Sequence, residues 1–153
     1  MIKFNKYYPN EFKKLRYAGR ISSKCLDYIK DKIKPGITTQ NIDEMCVEFL
    51  HKHNAYSAPL FYKGFPKSIC TSVNHVVCHG IPSDKTLNEG DIVNVDVTSL
   101  VEGYHGDTSR TYCVGKVSVK AKNLVDTTKE ALDRSIKILK PGVHLGNIGN
   151  EIQ

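Results

Sequence analysis

No two of the five cysteines, Cys25, Cys46, Cys70, Cys78 and Cys113, form a CxxC pair, and their number is odd. That argues against a disulfide framework and against a paired-thiol redox motif. The opening Met1-Ile2-Lys3-Phe4-Asn5-Lys6 has no apolar signal core. No apolar run approaches the roughly 20 residues that a membrane-spanning helix needs. These absences together read as reduced thiols in a cytoplasmic protein with no membrane partner. A basic stripe interleaved with aromatics, the usual mark of a nucleic-acid reader, is also missing. The 22 Lys and Arg outnumber the 16 Asp and Glu for a net charge of +6, but the lysines are spread along the chain. The reading is a solvated surface with no specific nucleic-acid site, positive enough for loose contact with an RNA-rich body such as a ribosome. No nucleophile elbow with an ordered Ser-His-Asp set occurs, and no phosphate loop.

What is present is ordinary globular composition, 40% hydrophobic and 25% charged over 153 residues, enough for one domain with a core. From Asn10, which can cap a helix, apolar residues recur in steps of three and four at Phe12, Leu15, Ala18, Ile21, Cys25, Leu26, Ile29 and Ile33. Lys34-Pro35-Gly36 stops that helix. Thr38 or Thr39 caps a second, with Ile42, Met45, Cys46, Phe49 and Leu50 on its buried face, fading at His53-Asn54. The period then changes. Ile69–Val73 and His75–Cys78 read as short strands around Asn74, and Ile92–Leu100 alternates with Val93, Val95 and Val97 on one side. Val101-Glu102-Gly103 is a turn, and Tyr104–Val114 returns as a strand. Helical spacing resumes near Lys122 with Leu124, Val125, Ala131, Leu132, Ile136 and Leu139, and ends at Pro141-Gly142.

Ile33-Lys34-Pro35-Gly36-Ile37 matches Leu139-Lys140-Pro141-Gly142-Val143 at an offset of 106 residues, which also pairs Asn41-Ile42 with Asn147-Ile148. One reading is an internal repeat, a first copy over about 10–115 and the start of a second over 121–153. The other is two helices that share a stop signal. Equal copies would leave the second short by roughly 70 residues, including a second set of strands. On that reading residues 1–153 are a single, incomplete domain, with the last helix cut in mid-turn.

The long hairpin carries the most informative chemistry. With Val101 and Glu102 at the turn centre, Asp96 lies directly across from Asp107. Opposed acids either share a proton or hold a cation, and hard carboxylate oxygens at such spacing can bridge two first-row metal ions. A bulge at Gly103 would change the register, but His105, Asp107, Ser109 and Thr111 form one polar face, to which Asp96 belongs. The alternative is two exposed acids on a solvated hairpin. His79, in Cys78-His79-Gly80-Ile81-Pro82, is either a turn residue or a ring aimed into a pocket, where it can hydrogen-bond a substrate amide. A zinc site from Cys70, Cys78 and His79 fits no usual spacing; the cysteines read as small buried apolar groups. Tyr62-Lys63-Gly64-Phe65-Pro66 either lines a small apolar pocket or is a loop pinned to the core by two rings.

The run Gly64–Pro82, the segment Gly90–Thr98, the motif Tyr104-His105-Gly106-Asp107-Thr108-Ser109-Arg110 and the opening Leu15-Arg16-Tyr17-Ala18-Gly19-Arg20 resemble those of the bacterial type I methionine aminopeptidases in order and over nearly the whole chain. The resemblance implies an α+β fold, the pita-bread fold, here as an N-terminal half plus the first helices of a second half. It implies metal-dependent removal of the N-terminal methionine from nascent polypeptides by a cytoplasmic monomer. Two divalent ions, of cobalt, manganese, iron or zinc, are expected in the complete family site. Asp96 and Asp107 match metal ligands, Asp107 the bridging one; His79 matches the histidine that contacts substrate beside the scissile bond, a catalytic role. Tyr62, Phe65 and Cys70 match lining residues of the methionine pocket, Phe65 standing where Tyr is common. The resemblance places one further His and two Glu ligands beyond Gln153; His144 and Glu151 are not their equivalents. Two alternatives therefore stand beside the enzyme. One is a pita-bread binding protein without hydrolysis. The other is an inactive fragment whose apolar faces at Ile92–Val114 and Leu124–Leu139 are partly uncovered.

Overall fold

The computed structural model describes residues 7–153. The chain divides into two compact units, residues 1–116 and 117–153.

In the first unit, helix α1 (Pro9–Ile29) begins earlier than the Asn10 cap predicts. Pro9 takes the first helical position, where its missing N–H costs nothing, and Glu11 accepts a 2.7 Å hydrogen bond from the Tyr8 amide. The helix tightens into one 3₁₀ turn over Lys30–Lys32 before Lys34-Pro35-Gly36, and Gly36 has a positive φ of 94°. Helix α2 (Thr39–Lys52) starts where Thr38 caps it, the Thr38 hydroxyl accepting from the Asn41 amide at 3.1 Å. Its Ile42, Cys46 and Leu50 are buried, and Met45 and Phe49 pack partly buried beside them.

The sheet is built on β3 (Ile92–Val101), which pairs antiparallel along one edge with β4 (Tyr104–Cys113) and along the other with β2 (Cys70–Val73) and the short β1 (Tyr56–Ser57). The period of two separates the faces. Val93, Val95 and Val97 are fully buried in one core with Ala18, Ile21, Cys25 and Leu26 of α1, so the apolar face of this hairpin is covered, contrary to the uncovered face that an inert fragment predicts. Asn94, Asp96 and Thr98 stand on the other face.

Two expectations fail here. His75–Cys78 is not a strand: Asn74 turns the chain at a φ of 53°, its side chain ties to Asp91 and Ile92, and Val77 beyond it is 93% exposed. The outer edge of β2 is met further along the chain instead, where the Thr71 amide donates to the Gly80 carbonyl. The hairpin register also differs. Val101 pairs with Tyr104, and the turn is the two-residue Glu102-Gly103, both at positive φ (48° and 82°), the type I′ geometry that matches strand twist. Every cross-strand partner therefore shifts by two residues from the predicted one.

Tyr112 pins α1 to the sheet. Its ring is 7% exposed and its hydroxyl donates to the Leu26 carbonyl at 2.7 Å. Burial, offset in part by Arg110, pushes its pKa up from 10 to about 12. The folded state therefore holds this proton more tightly than the unfolded chain. That contribution is complete below the ordinary tyrosine range and is lost as pH rises through about 12. A rise of that size corresponds to about 2–3 kcal/mol. Spectrophotometric titration should show one tyrosine ionising last, together with unfolding, and Tyr112→Phe should remove that late step.

In the second unit, α3 (Val119–Ile138) begins three residues before the predicted Lys122, where the Ser118 hydroxyl accepts from the Ala121 amide at 3.1 Å. Its solvent face carries i,i+4 pairs such as Lys129–Asp133 and Arg134–Glu130. Pro141-Gly142 turns the chain, with Gly142 at a φ of 91°, into α4 (Gly146–Ile152). Leu124, Leu132, Ile136 and Leu139 of this unit are each more than half exposed.

Candidate functional site

The polar face of β3 and β4 forms the floor of a cavity of about 830 Å³, within the range of small-molecule and peptide sites. Asp96 and Thr98 reach it from β3, and His105 and Asp107 from β4. Asp96 is not directly opposite Asp107. It faces Ser109, and Asp107 faces Thr98. Because the slip from the predicted register is two residues, neither acid changes face, and they meet as diagonal neighbours. Their side chains still interact directly. Burial first, and then the charge of Asp107, raises the Asp96 pKa above the usual carboxylate range, and His79 partly opposes this. The Asp107 carboxylate accepts a 3.0 Å hydrogen bond from the Thr98 hydroxyl.

His79 enters from the side. It has a φ of 55°, and the chain around it lies close against β2, with the Thr71 amide donating to the Gly80 carbonyl at 2.8 Å. A Cβ at position 80 would come within 2.1 Å of the Thr71 oxygen, so only glycine permits this approach. The remaining wall is apolar. Tyr62 and Phe65 line it from a tightly wound loop, and Cys70 lines it from β2. Phe61 and Lys63 in that loop have positive φ values of 65° and 48°. Tyr62 is 66% exposed, so this loop is not pinned to the core by two rings. Cys70 faces Asp96 across the strands. Burial, then the Asp96 charge, pushes its thiol up to about 11, so it is present as an uncharged surface for apolar groups. The expectation of buried cysteines fits Cys25, Cys46 and Cys70, but Cys78 and Cys113 are exposed.

All six residues singled out in the sequence, Tyr62, Phe65, Cys70, His79, Asp96 and Asp107, therefore line one cavity. Sequence reasoning missed two others on its floor, Thr98 and His105. Each is two residues from a singled-out aspartate on the same strand face, which is the signal that could have found it. The donor set fits one side of a divalent cation: two adjacent carboxylates whose mutual repulsion a cation would relieve. Among the described residues no group of three or more His, Cys, Asp or Glu is arranged to hold a metal ion.

Residues 13–153 match the profile of metallopeptidase family M24. The chain is 53% identical over 143 residues to a methionine aminopeptidase of Rickettsia prowazekii, covering 94% of this chain and 55% of that protein. It is 44% identical over 147 residues to a methionine aminopeptidase of Escherichia coli, covering 95% of this chain and 56% of that protein. The crystal structure of methionine aminopeptidase from Rickettsia prowazekii superposes with a TM-score of 0.95 at 52% identity, over 100% of this chain and 61% of that one. The chain thus spans a little over half the length of these two curated relatives.

Proposed function

Because the chain belongs to metallopeptidase family M24, and by sequence to its methionine aminopeptidases, we propose that its cavity receives the N-terminal methionine of a polypeptide while Asp96 and Asp107 hold divalent metal ions beside the scissile bond. The observation that carries this reading is the junction, in one cavity, of an apolar wall at Phe65 and Cys70 with two mutually interacting carboxylates and an imidazole. The apolar wall takes the thioether. Thr98 holds the Asp107 carboxylate still, and His79 at the side hydrogen-bonds the peptide group that follows methionine. When bound, divalent ions at the two carboxylates polarise a carbonyl and lower the pKa of a water. Manganese, iron, cobalt and zinc all suit such oxygen ligands, and the count of two follows the family resemblance. The substrates are nascent chains, the setting is the cytoplasm near ribosomes, and the working form is a monomer.

The pairing of only two carboxylates among the described residues favours a second reading, in which the chain binds N-terminal methionine without cleaving it. One experiment addresses both. Met-Gly-Ser and N-acetyl-Met-Gly-Ser are titrated into the chain with Mn²⁺ present, while binding and free methionine are followed together. The proposal expects the free-amine peptide alone to bind at the cavity; release of methionine then separates cleavage from binding. Equal binding of the acetylated peptide, or of neither, contradicts it.

A further inference from the structure

We propose that Asp43, which does not line the cavity, is a positioning residue that sets the cavity's width by bracing its apolar wall against α2. The methionine reading above supplies only what the cavity admits.

The first two turns of α2 tie down both sides of the cavity. On one side, a single oxygen of Asp43, Oδ1, accepts hydrogen bonds from the backbone amides of Ser68 at 2.9 Å and Ile69 at 3.0 Å. Those amides immediately precede Cys70, and the loop before them carries Tyr62 and Phe65. Lys67 of the same loop donates to the Gln40 side chain, and the Ser57 hydroxyl donates to the Ser68 carbonyl at 2.5 Å. On the other side, the Thr39 hydroxyl accepts from the Ser83 amide at 2.9 Å and donates to its carbonyl at 3.0 Å, while the Gln40 amide donates to that carbonyl at 2.8 Å. Ser83 lies two residues beyond Ile81 and four beyond His79, both on the cavity wall. One rigid helix thus spans the two walls, and their separation follows its geometry.

Asp43 is the costly member of this set. It is only 6% exposed, and burial raises its pKa against the opposing pull of the two amides and Lys67. A buried carboxylate persists there because both amides would otherwise be orphaned in the interior, where an unpaired N–H is strongly unfavourable. The loop it holds contains two non-glycine residues at positive φ, a conformation that relaxes unless its ends are fixed.

The cysteines provide the readout. Cys70 reports on the cavity wall, and Cys25 and Cys46, fully buried between α1 and α2, report on global unfolding. Alkylation by N-ethylmaleimide is followed residue by residue by mass spectrometry. In Asp43→Ala, Cys70 should label about tenfold faster, the scale of one or two lost hydrogen bonds, with Cys25 and Cys46 unchanged. Asp43→Asn, which keeps the accepting oxygen, should restore most of the protection. Should Asp43→Ala fail to fold, Gln40→Ala, at the partly exposed end of the same bracket, should speed Cys70 about twofold without moving Cys25 or Cys46. A rise of all three cysteines in step, or an unchanged Cys70 in folded Asp43→Ala, overturns the proposal. Selective release of Cys70 in a chain that does not discriminate free-amine methionine peptides leaves the brace standing and removes the methionine reading alone.

Discussion

Replacing Asp107 with alanine is expected to weaken Mn²⁺ binding by about a hundredfold, at least what loss of an outer partner of a metal ligand costs. The same change is expected to raise the melting temperature of the metal-free chain. The two effects have opposite signs because one feature causes both. Without a cation, Asp96 carries a raised pKa from burial and from the neighbouring Asp107 charge. Removing Asp107 relieves a repulsion of about 1 kcal/mol at a partly solvated site. What is lost in exchange is the Thr98 hydrogen bond to an exposed carboxylate, which solvent replaces readily. Asp107→Asn should lose the metal in the same way while keeping that bond. Calorimetric titration and thermal melts of the three proteins check both signs. A solvated pair of acids with no cation function predicts equal Mn²⁺ affinity in all three.

The second large effect is expected at Gly106, between His105 and Asp107. Gly106→Ala should destabilise the first unit by about 3 kcal/mol or more, enough to unfold many domains. An added Cβ would lie 2.1 Å from the Ala18 carbonyl carbon and 2.3 Å from the Gly19 nitrogen, so it meets helix backbone rather than a movable side chain. The Ser22 hydroxyl donates to the Gly106 carbonyl at 2.6 Å, and the Ser99 hydroxyl donates to the Ala18 carbonyl at 3.0 Å. A methyl group at position 106 breaks this buried network as well as the packing. Gly19→Ala is the control, since a Cβ there meets nothing within 4 Å. Urea unfolding of both variants checks the contrast; equal stability would show that α1 can shift without cost.

These two residues also show what the sequence made legible. The alternation from Ile92 to Leu100 and the polar run His105, Asp107, Ser109 and Thr111 assigned Asp96 and Asp107 to one polar face, because a strand's period is two. It did not assign their register, which depends on a turn built from Glu102 at a positive φ, where sequence patterns favour Asn or Gly. The slip of two residues kept the site's membership and changed only its geometry. His75–Cys78 misled because its apolar residues suggest a strand, whereas Asn74 at a positive φ turns the chain out of β2 and the outer edge of β2 bonds to Gly80 instead. The placement of His79 depends on a close approach at Gly80 to β2, a contact no local pattern contains. Asp43 was not singled out in the sequence, because its two amide partners lie 25 and 26 residues away.

Everything proposed for the cavity depends on Asp96 and Asp107 holding a divalent cation at its floor. Addition of Mn²⁺ to isotope-labelled chain, with loss of amide signals mapped by NMR, tests it most directly, because paramagnetic broadening falls off steeply with distance from the ion. The earliest signals lost should be those of Asp96, Asp107 and their neighbours Thr98, Cys70 and His79, and Asp107→Ala should restore them. Broadening centred elsewhere, or unchanged in Asp107→Ala, would contradict it.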